Sequence, residues 1–529
     1  MNAPIGTLGP RALAVGAAAL VFVASRPVPG RASAMPSQAV CAARVNDTAA
    51  KLVACVQQDA LWKHMIAFQR IADQNPGSDG HGNRDTGTSG YKASVDYVAR
   101  LVRAAGYKVT VQPYSYARFS LAGALAFRTG TRSFAYEREW YVARLSGSGA
   151  VTAPVQPVGA TAVPAIADAR SGCLPNDYAG FAPGHIALLQ RGPCSLDEQA
   201  AAARAAGAAA VIVYNEPDPY GAVSEQGRGG KHQGGAYQGN LTAAAGIPVL
   251  AVVSNAVGEG LLAQYAAGRA PTVHLDVSAR YGTGIDYNLI AESPLGDPNA
   301  VVVVEGHLDA IYGAGMLDNA SGSTTILELA LQIAKTQTRN RLRFIWFGGE
   351  ELGLLGSRYY TTHLTAKELS RIVFDIDSDV TATPNYDIQI ADPADAHNAS
   401  RFPSNVVPAS RIGTKDFDRY FSSIGMVSRA APFGNDGTDS NSFALVGVPD
   451  TGILTEQDCC KQKWEVDIWG GVPGNYEGNI PSHDGGCVDQ PHRWCDNLSN
   501  NDPHLLEVVS KAFAYVAYEI ANRVFPRRP

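Results

Sequence analysis

Little in this sequence favours a nucleic-acid or membrane-surface partner. Only 17% of the 529 residues are charged, and 43 Lys and Arg stand against 49 Asp and Glu, a formal net charge of -6. A surface that neutralises phosphates needs an excess of cations, so this balance excludes an electrostatic footprint for nucleic acid or anionic lipid, and a neutral or small substrate fits better. Long apolar runs are scarce as well. Beyond Ala34 no segment approaches the roughly 20 apolar residues that span a bilayer. Low-complexity runs are missing although 54 Gly and 31 Pro are scattered through the chain, so disorder is not expected to dominate. The eight cysteines include no C-x2-C or C-x4-C pair, which speaks against a thiolate metal site.

What is present begins with an export signature. Arg11, the apolar stretch from Ala12 to Ser25 and the A-x-A pattern Ala32-Ser33-Ala34 read as a secretory signal over residues 1–34, too short for an anchor. The mature protein is then expected outside the cytoplasm, without a stable membrane anchor. Export permits disulfides, and an even cysteine count suggests bridges. Sequence proximity pairs Cys41 with Cys55 and Cys173 with Cys194. Cys459, Cys460, Cys487 and Cys495 share one loop-rich stretch, and their pairing stays open.

The length implies two or three folded units. From Leu61 to Tyr116 the pattern is mostly helical. Val95, Val98, Ala99 and Val102 recur at helical spacing, Gly106 ends that helix, and a strand is expected over Lys108 to Gln112. Between Phe119 and Tyr281 the character shifts to short β-like runs. His185 to Gln190 reads as a strand, Ser195 to Ala206 as an Ala-rich helix closed by Gly207, and Ala208 to Asn215 and Gly246 to Ser254 as two more strands. From Asn288 onward strands and helices alternate. Val301 to Gly306, Leu342 to Phe347 and Ile372 to Phe374 are expected strands, and Ser321 to Lys335 is an amphipathic helix. Such alternation predicts an α/β core with a mostly parallel sheet, whose ligand sites lie at the carboxyl ends of strands.

The chemistry-bearing residues fall at those ends. His307 and Asp309 follow the first strand and, two apart on extended backbone, face the same way. Asp318 sits in a Gly-rich loop before a helix, where an N-cap role is the plain alternative. Glu350 and Glu351 are adjacent carboxylates flanked by glycines. Adjacent side chains diverge, so one is able to bind a metal while the other reaches a water as general base. Asp375 follows Phe374, and His492 adds a second imidazole near the C-terminus. Two His and several Asp or Glu form the nitrogen and oxygen set that zinc accepts.

The motifs GHLDA (Gly306 to Ala310), LDNASG (Leu317 to Gly322), GGEELGLLGS (Gly348 to Ser357), FDI (Phe374 to Ile376) and HRWCD (His492 to Asp496) together resemble the exported di-zinc aminopeptidases of the bacterial leucine-aminopeptidase type. The resemblance runs from about Asp47 to Ala517. The stretch with RGPC at Arg191 to Cys194 is similar to the protease-associated domain inserted in many exported peptidases, usually as a lid or docking surface. The resemblance implies an α/β fold with a mostly parallel central sheet flanked by helices. It places the metallopeptidase domain at 47–118 and 282–529, and a β-rich α+β insert at 119–281. It implies two zinc ions per chain, with Asp318 bridging both, His307 and Asp375 completing one, and Glu351 and His492 the other. Glu350 is then the general base, and Asp309 orients the ligands. The implied substrates are peptides with a free N-terminus.

Two departures bear on substrate binding. Many relatives carry Tyr before the last His, where this chain has Pro491, and some carry Arg before Ser-Asp-His, where this chain reads Asp436-Gly437-Thr438-Asp439-Ser440. Carboxypeptidase or other small-amide hydrolysis uses the same shell and stays open. A non-catalytic scaffold is the reading from a different class, but every ligand candidate is present. Single-zinc cyclase chemistry is opposed by the full two-metal set. Asn319 lies in an N-x-S sequon, and a glycan there would contradict a site at Asp318.

Overall fold

The computed structural model describes residues 35–526, apart from 78–79, 160–170, 193, 218–234, 397–400, 434–436, 458–460 and 477–495. The proposed signal segment and the four cysteines from Cys459 onward therefore lie outside the described residues. Among those that are described, no helix is long and apolar enough to cross a membrane.

Two eight-stranded sheets organise the chain. The strands of the larger sheet, in chain order, are β1 (Lys108–Leu121), β2 (Ala279–Glu292), β3 (Asp297–His307), β4 (Asn340–Phe347), β5 (Ile372–Ser378), β6 (Gln389–Ala396), β7 (Arg429–Phe433) and β8 (Asp450–Leu454). Their spatial order is β1-β2-β4-β3-β5-β8-β6-β7. The four central strands β4, β3, β5 and β8 run parallel, and antiparallel pairings bring in β1 and β2 on one side and β6 on the other. Helices cover the faces. Gly322–Ile333 follows β3, and Pro503–Ala521, Gln58–Gln74 and Ser89–Ala104 join it around one core. Continuous apolar runs suit strands buried on both faces, and Val301 to Val304 are at most 1% exposed.

The second sheet is built from strands between Ala126 and Val277. Its parallel centre consists of Gly149–Pro157, Ile186–Gln190, Ala210–Tyr214 and Val249–Val253. The Ala-rich helix Leu196–Ala205 starts with a capping box between Ser195 and Glu198, which satisfies amide groups that a helix start leaves unpaired. Cys173–Cys194 lies in this unit and Cys41–Cys55 near the chain start, the two bridges expected from proximity.

Element types agree with the periodicity, and several boundaries do not. The strand expected over Lys108 to Gln112 continues to Leu121, paired along its length with β2. The strand expected to end at Phe374 continues through Ser378. That extension moves the carboxyl end of β5, and with it the site.

Candidate metal centre and substrate pocket

The site forms where β3, β4 and β5 end side by side. His307 is the last residue of β3 and is buried. Its Nδ1 lies 3.1 Å from the Asp309 carbonyl oxygen and 3.6 Å from Asp309 Oδ1. A proton on Nδ1 donated to that carbonyl leaves the Nε2 lone pair free for a metal. Nε2 faces carboxylates: Asp318 Oδ1 at 3.0 Å, Asp379 Oδ1 at 3.3 Å and Glu350 Oε2 at 4.0 Å. Two groups have ligand atoms within 4.8 Å of one another, His307 with Asp318 and Asp379, and His307 with Glu350 and Glu351.

Local sequence explains why these side chains meet. Asn319 donates from Nδ2 to the Ser378 carbonyl at 2.9 Å, and its Oδ1 accepts from Gly322 N and Val380 N. Ser321 donates to the Leu317 carbonyl and accepts from Thr381 N. The DNAS segment is thus tied to the end of β5, which sets Asp318 beside Asp379. Asn319 is fully buried and its amide is used, so the sequon there is not accessible to a glycan. Asp496 of the C-terminal HRWCD motif accepts from Leu317 N at 2.7 Å and Asp318 N at 3.2 Å. Burial pushes its carboxyl up to about 7 although those two amides pull it down.

Arg84, absent from every sequence motif above, holds the opposite side. Its fully buried guanidinium donates to the carbonyls of Ala314 at 2.7 Å, Leu308 at 2.9 Å and Gly315 at 2.7 Å. It clamps the segment between His307 and Asp318. Arg84→Met would leave the buried carbonyls of Leu308 and Ala314 unpaired, at about 1–3 kcal/mol for each unsatisfied group, while the Gly315 carbonyl keeps its bond from Ala320 N at 3.0 Å. We expect a stability loss of at least about 2 kcal/mol in urea unfolding.

The Glu350–Glu351 turn is held from two directions. Glu350 N donates to Asp309 Oδ1 at 3.3 Å, while Thr86 donates to Asp309 Oδ2 at 2.6 Å. From the second sheet's unit, Asn240 Nδ2 donates to the Glu351 carbonyl at 2.9 Å and Arg144 to the Leu352 carbonyl at 3.3 Å. Gly349 carries a φ of 68°, where a Cβ would also meet Tyr114 Oη at 2.6 Å, so the approach to this turn requires glycine. Burial holds both glutamates well above the usual carboxylate range. The His307 charge opposes this for Glu350, and Asp318 adds to it for Glu351.

Not every expected residue joins the group. Asp375 lies within β5, opposite Val303 and Asp450, not at the strand end. It is fully buried and neither carboxylate oxygen has a hydrogen-bond partner. Asp379, four residues later, occupies the place beside His307 that the sequence reading gives to Asp375. Acids at 375, 377 and 379 alternate with Ile376 and Ser378, the period-2 pattern of one strand face. That pattern is the signal for a longer strand. His492 lies outside the described residues.

The donor set fits a divalent cation. Asp379 Oδ1 and Glu351 Oε1 are buried without hydrogen-bond partners, in a group of four carboxylates around a single imidazole among the described residues. Buried carboxylates at this density require protons or a cation, and nitrogen plus oxygen donors suit zinc. A cavity of about 560 Å³ opens over the group. Its walls include Glu350, Glu351 and Val380 from the larger sheet's unit and Tyr237 to Asn240 from the other.

Comparison with known proteins decides the family. The model of Peptidase family M28 matches residues 288–517, and that of the PA domain matches residues 151–261. An aminopeptidase of Pseudomonas aeruginosa is 32% identical over 523 residues, covering 96% of this chain and 90% of that protein. The chain belongs to peptidase family M28. The structure of the aminopeptidase from Aneurinibacillus sp. strain AM-1 superposes with a TM-score of 0.66 at 22% identity, covering 91% of this chain and 98% of that one. BSAP, a zinc aminopeptidase from Bacillus subtilis, superposes with a TM-score of 0.56 at 21% identity, over 88% and 96% of the two chains. This M28 chain therefore has the α/β fold of the family with a PA domain inserted. Tyr237 to Asn240, which lie between two strands of that insert, form one wall of its pocket.

Proposed function

We propose that this M28 chain is a zinc-dependent aminopeptidase that removes residues from the free N-terminus of peptides, with two zinc ions per chain. The observation that carries the reading is the convergence of His307, Asp318, Asp379, Glu350 and Glu351 at the ends of three parallel strands. The aminopeptidase names of the relatives and the zinc named for the Bacillus subtilis protein support it.

In this reading His307, Asp318 and Asp379 would hold one zinc, and Asp318, Glu351 and His492 the other. Bound zinc supplies Lewis acidity and lowers the pKa of water toward about 7. Glu350 is the general base. Its buried position raises its proton affinity, which suits a group that takes a proton from water and returns it to the departing amine. Asp309 keeps the His307 ring in the tautomer that exposes Nε2, and Asp496 and Arg84 hold the Asp318 loop. The acidic lining of the cavity receives the substrate's ammonium group, which accounts for a preference for free N-termini. The PA domain closes one wall, and the insert extends over 119–281. Two disulfides and the Ala12–Ser25 segment before an A-x-A pattern support an exported protein.

One peptide tests this in three forms: free, N-acetylated and C-amidated, each with chelator and with zinc restored. Cleavage lost only on acetylation, and recovered with zinc, is the expected result. Cleavage lost only on amidation would make the protein a carboxypeptidase.

A further inference from the structure

The cavity continues from the metal-site carboxylates down the face of the larger sheet, and what lines it there bears on which N-terminal residue it takes. Asp377 lies opposite Glu305 on β3 and Gly452 on β8, two residues before Asp379. Asp450 lies two residues before Gly452, on the same face of β8. Small side chains leave the space open, since Gly452, Ala391 and Ala431 all line the cavity together with Asp377 and Asp450.

The two aspartates are 3% exposed. Thr438 donates to Asp377 Oδ2 at 2.5 Å, while Asp377 Oδ1 and Asp450 Oδ2 have no hydrogen-bond partner. Glu456, at the same cavity, differs in being engaged already, by Gln389 and by Arg429 at 3.4 Å. Among the described residues lining the cavity, none is Lys, Arg or His. An apolar side chain entering this space would complete the desolvation of both aspartates and give them no partner, which is strongly disfavoured. A cationic side chain supplies the missing charge and donors. Two residues along a strand span about 6.6 Å, a depth that suits the flexible four-carbon stem of lysine with its compact ammonium.

Resting on the aminopeptidase reading, we infer that the pocket selects peptides whose N-terminal residue carries a cationic side chain, with Asp377 and Asp450 as the residues that recognise it. Both would touch the substrate side chain and neither the scissile bond.

The zinc-loaded full chain is assayed with the p-nitroanilides of lysine and norleucine, which share a stem and differ in the ammonium. A kcat/KM ratio favouring lysine by at least about 30-fold is expected, as for a desolvated charge pair. Asp450→Asn is expected to reduce that ratio about 10-fold or more while zinc content stays at the unmutated level. Norleucine cleaved as well as lysine would overturn the pocket assignment and leave the aminopeptidase reading standing. An unchanged ratio in Asp450→Asn, with lysine still preferred, would overturn the role of Asp450. Cleavage of neither compound, by a chain that still hydrolyses the free peptide and not its N-acetylated form, would overturn the pocket assignment alone; loss of that peptide hydrolysis too would overturn the aminopeptidase reading.

Discussion

Asp379→Asn is expected to lose zinc and nearly all peptide hydrolysis, while Asp375→Asn, four residues earlier, is expected to keep both. Asp379 Oδ1 stands 3.3 Å from His307 Nε2 and has no hydrogen-bond partner. An asparagine there cannot supply the negative charge that a divalent cation requires. Asp375 is held well above the usual carboxylate range by burial, then by Asp450 and Asp377. Removing a carboxylate that only faces other carboxylates relieves repulsion, so Asp375→Asn should be neutral or stabilising. Metal analysis after gel filtration, with hydrolysis measured on the same samples, separates the two variants. Zinc lost from Asp375→Asn and retained by Asp379→Asn would reverse the assignment.

Glu350→Gln is expected to keep its zinc and to lose turnover by about 10²–10⁴-fold, the usual contribution of a positioned acid–base group. The substitution preserves shape and the backbone donation from Glu350 N to Asp309 and removes only the proton acceptor. The loss should fall on kcat, with KM little changed, because the group acts on the proton and not on the bound peptide. Zinc lost along with activity would mean that Glu350 is the ligand and Glu351 the base. Full activity with intact metal would remove Glu350 from the reaction altogether.

His307, Asp309, Asp318, Glu350 and Glu351 are legible in the sequence because each sits within a few residues of a strongly apolar strand or a Gly-rich turn, where local pattern specifies where the chain stops being sheet. Asp375 is misplaced by the same reasoning. The stretch Phe374-Asp375-Ile376-Asp377-Ser378 carries acids on one face of a strand, and burial of acids runs against the apolar pattern by which strands are recognised. The strand continues because β3 and β8 flank it on both sides and satisfy its backbone. Arg84 and Asn240 escape notice for another reason. Arg84 reaches the carbonyls of Leu308, Ala314 and Gly315 across 224, 230 and 231 positions of sequence, and Asn240 reaches that of Glu351 across 111. Nothing in the residues around either one marks it as a partner of the carbonyls it holds.

By itself the sequence determined the element types, the α/β class with its inserted unit, two disulfides and most of the donor set, because hydrophobic period, turn residues and short motifs act over a few neighbours. Only the tertiary structure decided which acid of the series at 375, 377 and 379 stands beside His307, that Asp496 and Arg84 hold the Asp318 loop, and that Tyr237 to Asn240 wall the pocket. Those outcomes depend on strand register and on contacts between distant segments, which local pattern does not encode.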